Sequence, residues 1–299
     1  RQGPVWRRLC PAQLNIFVNT RFAASLGDGP VAQIELAFRI FYLPIGMFGV
    51  ALATITTTQV SEEAARGDRN GLVQKTGEGL SALWMLTTAS TVGLCVLARP
   101  IVALLYEGGE FTAADTVAVA DILRAYALGL VPYSMVKIVA PAFYTIDRPR
   151  LPLLASLAAV AVTIGFNAAT YQLLGAPGLA LGTTIGALFN VGLLRLFYRR
   201  HVGPLARPGR WRELGWLALA NLAMSAALVL AWWAADLGLA RLALPGLLHS
   251  LALALALTLV IGLGFAVFVG VLGASDFPGA ASLARMPGGL WRRIRRRRT

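Results

Sequence analysis

Charge is what this sequence has least of. Only 14% of its 299 residues are Asp, Glu, Lys or Arg, against about a quarter in an ordinary soluble domain. Acidic groups are scarcer still, 14 of them against 27 Lys and Arg, and His and Cys stand at two each. Each shortage removes a class of function. His201 and His249 lie far apart and neither belongs to an HExxH pattern, so a zinc site is not expected. Cys10 and Cys95 make no CxxC and no disulfide framework. Both fall in apolar segments and read as buried free thiols. There is no P-loop for ATP and no strand–GxGxxG–helix for a dinucleotide, so neither a cofactor nor a catalytic residue is expected.

What the chain has instead is apolar length. Hydrophobic residues make up 57% of it and the mean hydropathy is +0.66. A bilayer crossing takes about 20 such residues. Candidate spans fall at roughly 9–27, 36–58, 80–98, 117–143, 151–174, 177–198, 214–236 and 244–272. The pattern predicts an all-α polytopic membrane bundle of about eight helices, because backbone groups in hydrocarbon must bond internally. LLGAPG (173–178) reads as a tight turn between two of them. Arg99-Pro100 before IVALLYEGGEF predicts a short amphipathic helix lying on the outer surface, too short to cross. The chain opens on Arg1 rather than Met, which reads as a piece of a longer protein.

The net charge of +13 and the pI of about 10.9 would suggest nucleic acid in a soluble protein. Placing the basic residues gives another cause. All but Arg21, Arg39, Arg99, Arg124, Lys137 and Arg241 fall in alternate connections and the two ends. By the positive-inside rule those connections and both ends are cytoplasmic. The tail LWRRIRRRRT reads as an anchor for anionic phospholipid headgroups, at about 1 kcal/mol per basic residue, rather than a nucleic-acid contact.

Charges inside spans are costly and usually face a cavity. Arg39 stands four residues after Glu35, so the two can pair on one helix face. Either that pair is structural, or the guanidinium serves a phosphate-bearing ligand that its planar fork suits. Pro44 and Gly46 follow and predict a bend. Lys137 and Arg124 both lie in the fourth span, where each can reach the headgroups or line a cavity. Glu62-Glu63 beside Arg66 reads as a solvated, locally paired face. Gly178, Gly182 and Gly186, spaced by four and continuing to Asn190, let another helix approach closely.

Three segments carry a resemblance. They are QLNIFVNTRFAASLGDG with FRIFYLPIGMFGVALAT (Gln13 to Thr54), LLYEGGEFTAADT (Leu104 to Thr116), and RAYALGLVPYSMVKIVAPAFYTIDRPRLP (Arg124 to Pro152). In order and spacing these resemble the MurJ/MviN lipid II flippases of the MOP transporter superfamily, VKIVAPAFY being the most specific string. The resemblance implies fourteen helices in two six-helix lobes plus an extra pair. On that footing residues 1–200 are the C-terminal lobe, and residues 201–299 are the two extra helices with a basic cytoplasmic tail.

The activity implied is movement of lipid II, the undecaprenyl-pyrophosphate-linked disaccharide peptide, from the inner to the outer leaflet of the bacterial inner membrane. It works by alternating access with a cationic cavity, and a groove near the extra helices takes the lipid tail. The missing N-terminal lobe is then a partner. Arg39 falls on the family's cavity arginine, with Phe38 where relatives often have Asp; Glu35, Lys137 and Arg124 join it as substrate-binding candidates. Some relatives hold sodium between helices equivalent to the first, fifth and sixth here, which implies Asn19, Asn167 and Thr183. None of the three is a carboxylate, the ligand a hard cation favours. Other readings are a different MOP transporter (a polysaccharide-unit flippase or a drug/cation antiporter) or a non-transporting membrane scaffold. An antiporter needs membrane carboxylates, and the cores of these spans hold almost none, Glu35 and Asp121 being near span ends.

Overall fold

A backbone N–H or C=O left unpaired in hydrocarbon costs several kcal/mol, which leaves this apolar chain few choices besides helices. The computed structural model describes residues 11–27, 29–204, 211–242 and 246–274. Their regular structure is helical, with one isolated bridge between Gly108 and Phe111. The arginine clusters at the two ends, Cys10, and the lipid-contacting role expected of the tail lie outside the described residues.

In chain order the helices are α1 Pro11–Ala24, α2 Pro30–Pro44, α3 Ala51–Ala65, α4 Arg69–Tyr106, α5 Ala113–Ala127, α6 Leu130–Tyr144, α7 Arg150–His201, α8 Trp211–Leu242 and α9 Gly246–Gly273. A π-helical turn, Ile45–Val50, joins α2 to α3 without a break. Five stretches are long and apolar enough to cross a membrane: Pro30–Ala65, Arg69–Tyr106, Arg150–His201, Glu213–Arg241 and Leu248–Gly273. The pair α5 and α6 makes a sixth, bent by 42° at its break. α1 occupies the first expected span, but its 14 described helical residues rise only about 21 Å.

The 52 residues of α7 are two arms. At Gly175 the backbone takes φ 59°, ψ −147°, a conformation open to glycine alone, and Pro177 follows. The arms fold back on each other along the glycine stripe. A Cβ at Gly182 would lie 1.8 Å from Asn167 Oδ1, and one at Gly186 would lie 2.0 Å from Thr163 Oγ1. Only hydrogen fits there.

Contacts divide the chain into Arg1–Ala206 and Arg207–Thr299. The first unit holds two apolar clusters. One gathers Ile40, Phe41 and Ile45 against Ile122, Leu123 and Tyr126, with Phe41 and Tyr126 stacked at 5.3 Å. The other surrounds Tyr198 and Phe143, and the Tyr198 hydroxyl donates to Thr76 Oγ1 at 3.1 Å. In the second unit α8 and α9 pair along their length, with Leu228 seated against Gly264 and Phe268 fully buried.

One expected element is absent. IVALLYEGGEF does not begin a surface helix, because α4 runs unbroken through Pro100 to Tyr106. Proline there forfeits one backbone hydrogen bond. Burial outweighs it: Pro100 and Val102 lie in the interior, and Ile101 and Tyr106 pack on the first cluster. The chain turns only afterwards, where Thr112 and Asp115 form a reciprocal capping box that starts α5.

The hairpin of α7 gives a test of packing. Gly182→Ala should lower stability by about 1–3 kcal/mol, whereas Gly192→Ala, with nothing within 4 Å of its Cβ, should leave the detergent-solubilised melting temperature unchanged. Equal melting curves for the two would show that the arms are not in contact.

Candidate functional site

One set of polar groups in the first unit lies on α2, α3 and α6. Arg39 and Glu35 share one face of α2, with the guanidinium donating to Glu35 Oε1 at 2.6 Å. Their side chains remain 65% and 62% exposed, so the pair is open to a ligand. One turn on, Tyr42 carries the same face toward α6. There Lys137 donates to the Tyr42 hydroxyl at 3.4 Å. Its amine also lies 5.5 Å from the Tyr42 ring centre and 5.9 Å from that of Tyr133. Two aromatic faces and a phenol oxygen hold this cation in place. It faces inward to its neighbours instead of reaching along the helix.

Beside Lys137 opens a groove of about 810 Å³. Its α3 wall is a run of hydroxyls, Thr54, Thr57, Thr58 and Ser61, ending at Glu62. Positions 54, 58 and 61 fall on one helix face by the 3.6-residue period, while Thr56 and Val60 on the opposite face are buried. Of the acidic pair, Glu63 bonds Arg66 at 3.4 Å and Glu62 enters the groove.

Arg124 stands apart. Its guanidinium pairs with Asp121 at 2.7 Å and reaches the Cys95 carbonyl at 3.3 Å, and no contact among the described residues joins it to Arg39 or Lys137. Cys95 is a free, half-buried thiol.

The three residues Asn19, Asn167 and Thr183 do come together. Asn167 Nδ2 donates to Asn19 Oδ1 at 2.7 Å, and Asn19 Nδ2 donates to Thr183 Oγ1 at 3.4 Å. Thr183 in turn donates to the Leu179 carbonyl at 3.2 Å. This ties α1 to both arms of α7. The inner oxygen of Asn167 is buried over Gly182 with no hydrogen-bond partner.

With this geometry in hand, comparison with known proteins is informative. A family model described as Lipid II flippase MurJ matches residues 9–256. The chain belongs to this family. A probable lipid II flippase MurJ from Rhizobium meliloti is 31% identical over 270 residues, covering 88% of this chain and 49% of the relative. The lipid II flippase MurJ of Burkholderia cenocepacia is 33% identical over 220 residues, 74% of this chain and 42% of its own length. The chain therefore spans about half the length of the curated relatives it matches. Among solved structures, a lipid II flippase MurJ in an inward closed conformation matches with a TM-score of 0.66 at 24% identity, over 88% of this chain and 52% of that one. A MOP superfamily transporter from Pyrococcus furiosus matches with a TM-score of 0.56 at 16% identity. Both share the fold, and family membership together with the long apolar helices makes this chain a multi-pass membrane protein. Its relatives are named as flippases, not as enzymes.

Membership sharpens the question of sodium. The structure brings the three residues together but supplies only neutral side chains. Asn19 Oδ1 and Thr183 Oγ1 accept within the trio while Asn167 Oδ1 stays unpartnered, and no cluster of three His, Cys, Asp or Glu exists among the described residues. A hard cation would have to displace these hydrogen bonds for neutral ligands alone. The site is a neutral clasp with one open oxygen and no charged ligand of its own.

Sequence reasoning missed the hydroxyl wall and Tyr42. The signal was present in TITTTQVS, whose Thr and Ser residues recur at helical spacing, but hydroxyls weigh near neutral in hydropathy and escape a scan for charge. The clasp yields a direct check. Melting temperatures in sodium chloride and in choline chloride at equal ionic strength should agree, and a sodium-specific rise of several degrees would contradict the neutral assignment.

Proposed function

We propose that this chain forms the second lobe and the accessory helix pair of a lipid II flippase. The observation that carries the reading is Lys137, held by Tyr42 at the edge of a hydroxyl-lined groove. Lys137 of α6 bonds Tyr42 of α2, and Arg39 stands one turn before Tyr42 on the same face of that helix, inside a chain matched to the MurJ family over residues 9–256. A pyrophosphate needs positive charge and forked donors. Arg39 spends one edge on Glu35 and keeps other N–H donors for a ligand. Lys137 supplies a second, point-like charge.

No bond in the substrate has to be made or broken. The headgroup is drawn into a polar hollow between this lobe and an N-terminal lobe, and rocking of the lobes exposes the hollow to each side in turn. Alternate basic connections set the orientation: the turn at Arg148 and Arg150 and both ends of this chain face the cytoplasm of a bacterial inner membrane, and the loop at Glu107 and Glu110 faces outward. Basic residues of the tail hold anionic phospholipid at the cytoplasmic surface. Cation antiport is disfavoured because Glu35 and Asp121 are each committed to an arginine.

In the native protein that carries this chain, Arg39→Ala should abolish growth of a flippase-depleted strain at wild-type expression, with Arg39→Lys retaining partial support. Normal growth of a well-expressed Arg39→Ala strain would remove Arg39 from substrate handling. Orientation has its own measurement. A cysteine at Glu110 should react with a membrane-impermeant maleimide on intact cells, and one at Arg148 should not; the reverse pattern would overturn the assignment.

A further inference from the structure

Three of the hydroxyls along α3 have already used their protons. Thr54 donates to the Val50 carbonyl at 2.9 Å, Thr58 to the Thr54 carbonyl at 3.1 Å, and Ser61 to the Thr57 carbonyl at 2.8 Å. A hydroxyl has one proton and two lone pairs. With the proton turned back to its own helix, each presents acceptor lone pairs only to the groove. Glu62, next on the same wall, is an acceptor with no proton to give when ionised. Among the wall's hydroxyls Thr57 alone makes no hydrogen bond within the described residues.

The opposite polarity sits at the other end. Lys137 carries donors and no acceptor, and it reaches to Tyr42 on α2, on the far side of the π turn from Glu62. From Thr54 to Glu62 the helix rises about 12 Å. The groove thus has a cationic, donating end and an anionic, accepting end.

We propose that Thr54, Thr58, Ser61 and Glu62 form a strip that reads hydrogen-bond donors of the transported headgroup, its sugar hydroxyls, amide N–H groups and peptide ammonium. On this wall only Thr57 keeps a free O–H, so phosphate oxygens find few donors there and go to Lys137 and Arg39. The headgroup therefore lies in one direction, with pyrophosphate toward α2 and the sugar–peptide portion toward Glu62. This rests on the flippase reading above and adds to it a residue-level basis for telling lipid II from its undecorated carrier.

The test compares two probes in the purified native protein that carries this chain: lipid II and undecaprenyl pyrophosphate. The wild type should bind lipid II more tightly. Thr58→Val with Ser61→Ala removes two acceptors and should reduce the preference about tenfold by lowering lipid II affinity alone. Glu62→Gln should act in the same direction. Thr58→Ser with Ser61→Thr keeps both hydroxyls and should restore the wild-type ratio, which separates recognition from loss of fold. Lys137→Met should weaken both probes alike. If the Val/Ala variant keeps the wild-type ratio, or weakens both lipids equally, the strip is a packing surface for another helix and the proposal fails. Binding of neither lipid by the wild type would instead overturn the flippase reading itself.

Discussion

Lipid offers the backbone no hydrogen bonds, and that constraint shapes every irregularity in this chain. Each departure from α-helix is placed where the freed groups find another partner or a protected position. Pro44 is followed at once by a π turn instead of a loop, so the helix from Pro30 to Ala65 never opens to its surroundings. The reversal inside α7 is compressed into the single residue Gly175. Pro100 is buried against a cluster that holds α4 in register across the missing donor. Even side-chain protons are drawn into this accounting, since most of the Thr and Ser hydroxyls in the helices turn back to carbonyls one turn earlier.

Charge obeys a related rule. Within the helical spans of the first unit each carboxylate near the apolar zone has an arginine within three or four residues, Glu35 with Arg39 and Asp121 with Arg124. Lys137 is treated differently, surrounded by aromatic rings and a phenol oxygen and paired with no carboxylate. An ammonium held this way keeps its full attraction for an anion, because no fixed negative charge has to be displaced first.

Much of the helix pattern was legible in the residues. Apolar runs located the long helices, LLGAPG located the reversal in α7, and the four-residue spacing of Glu35 and Arg39 anticipated their pairing. The glycine stripe announced close packing, though not that its partner would be the preceding arm of the same helix. Where local reading failed, tertiary burial had overruled it. Arg99-Pro100 looks like a helix end, yet the residues after it are worth more in the core than a proline costs. The clasp of Asn19, Asn167 and Thr183 was legible only through family resemblance, since nothing local links positions almost 150 residues apart. The hydroxyl wall was hidden for another reason: its significance lies in where each proton points, and that is a property of coordinates, not of composition.

The π turn between α2 and α3 fixes a phase relation as well as a bend. A π turn accommodates one residue more than an α turn would, and each residue of a helix advances the azimuth by about 100°. Everything from Ala51 onward is therefore rotated by that angle relative to a plain continuation of α2. With a regular turn in its place, the face bearing Thr54, Thr58 and Ser61 would swing round toward the side now taken by other positions, and Lys137 would look onto alanine and valine. A six-residue irregularity with no polar side chain of its own thereby decides which chemistry the lobe displays.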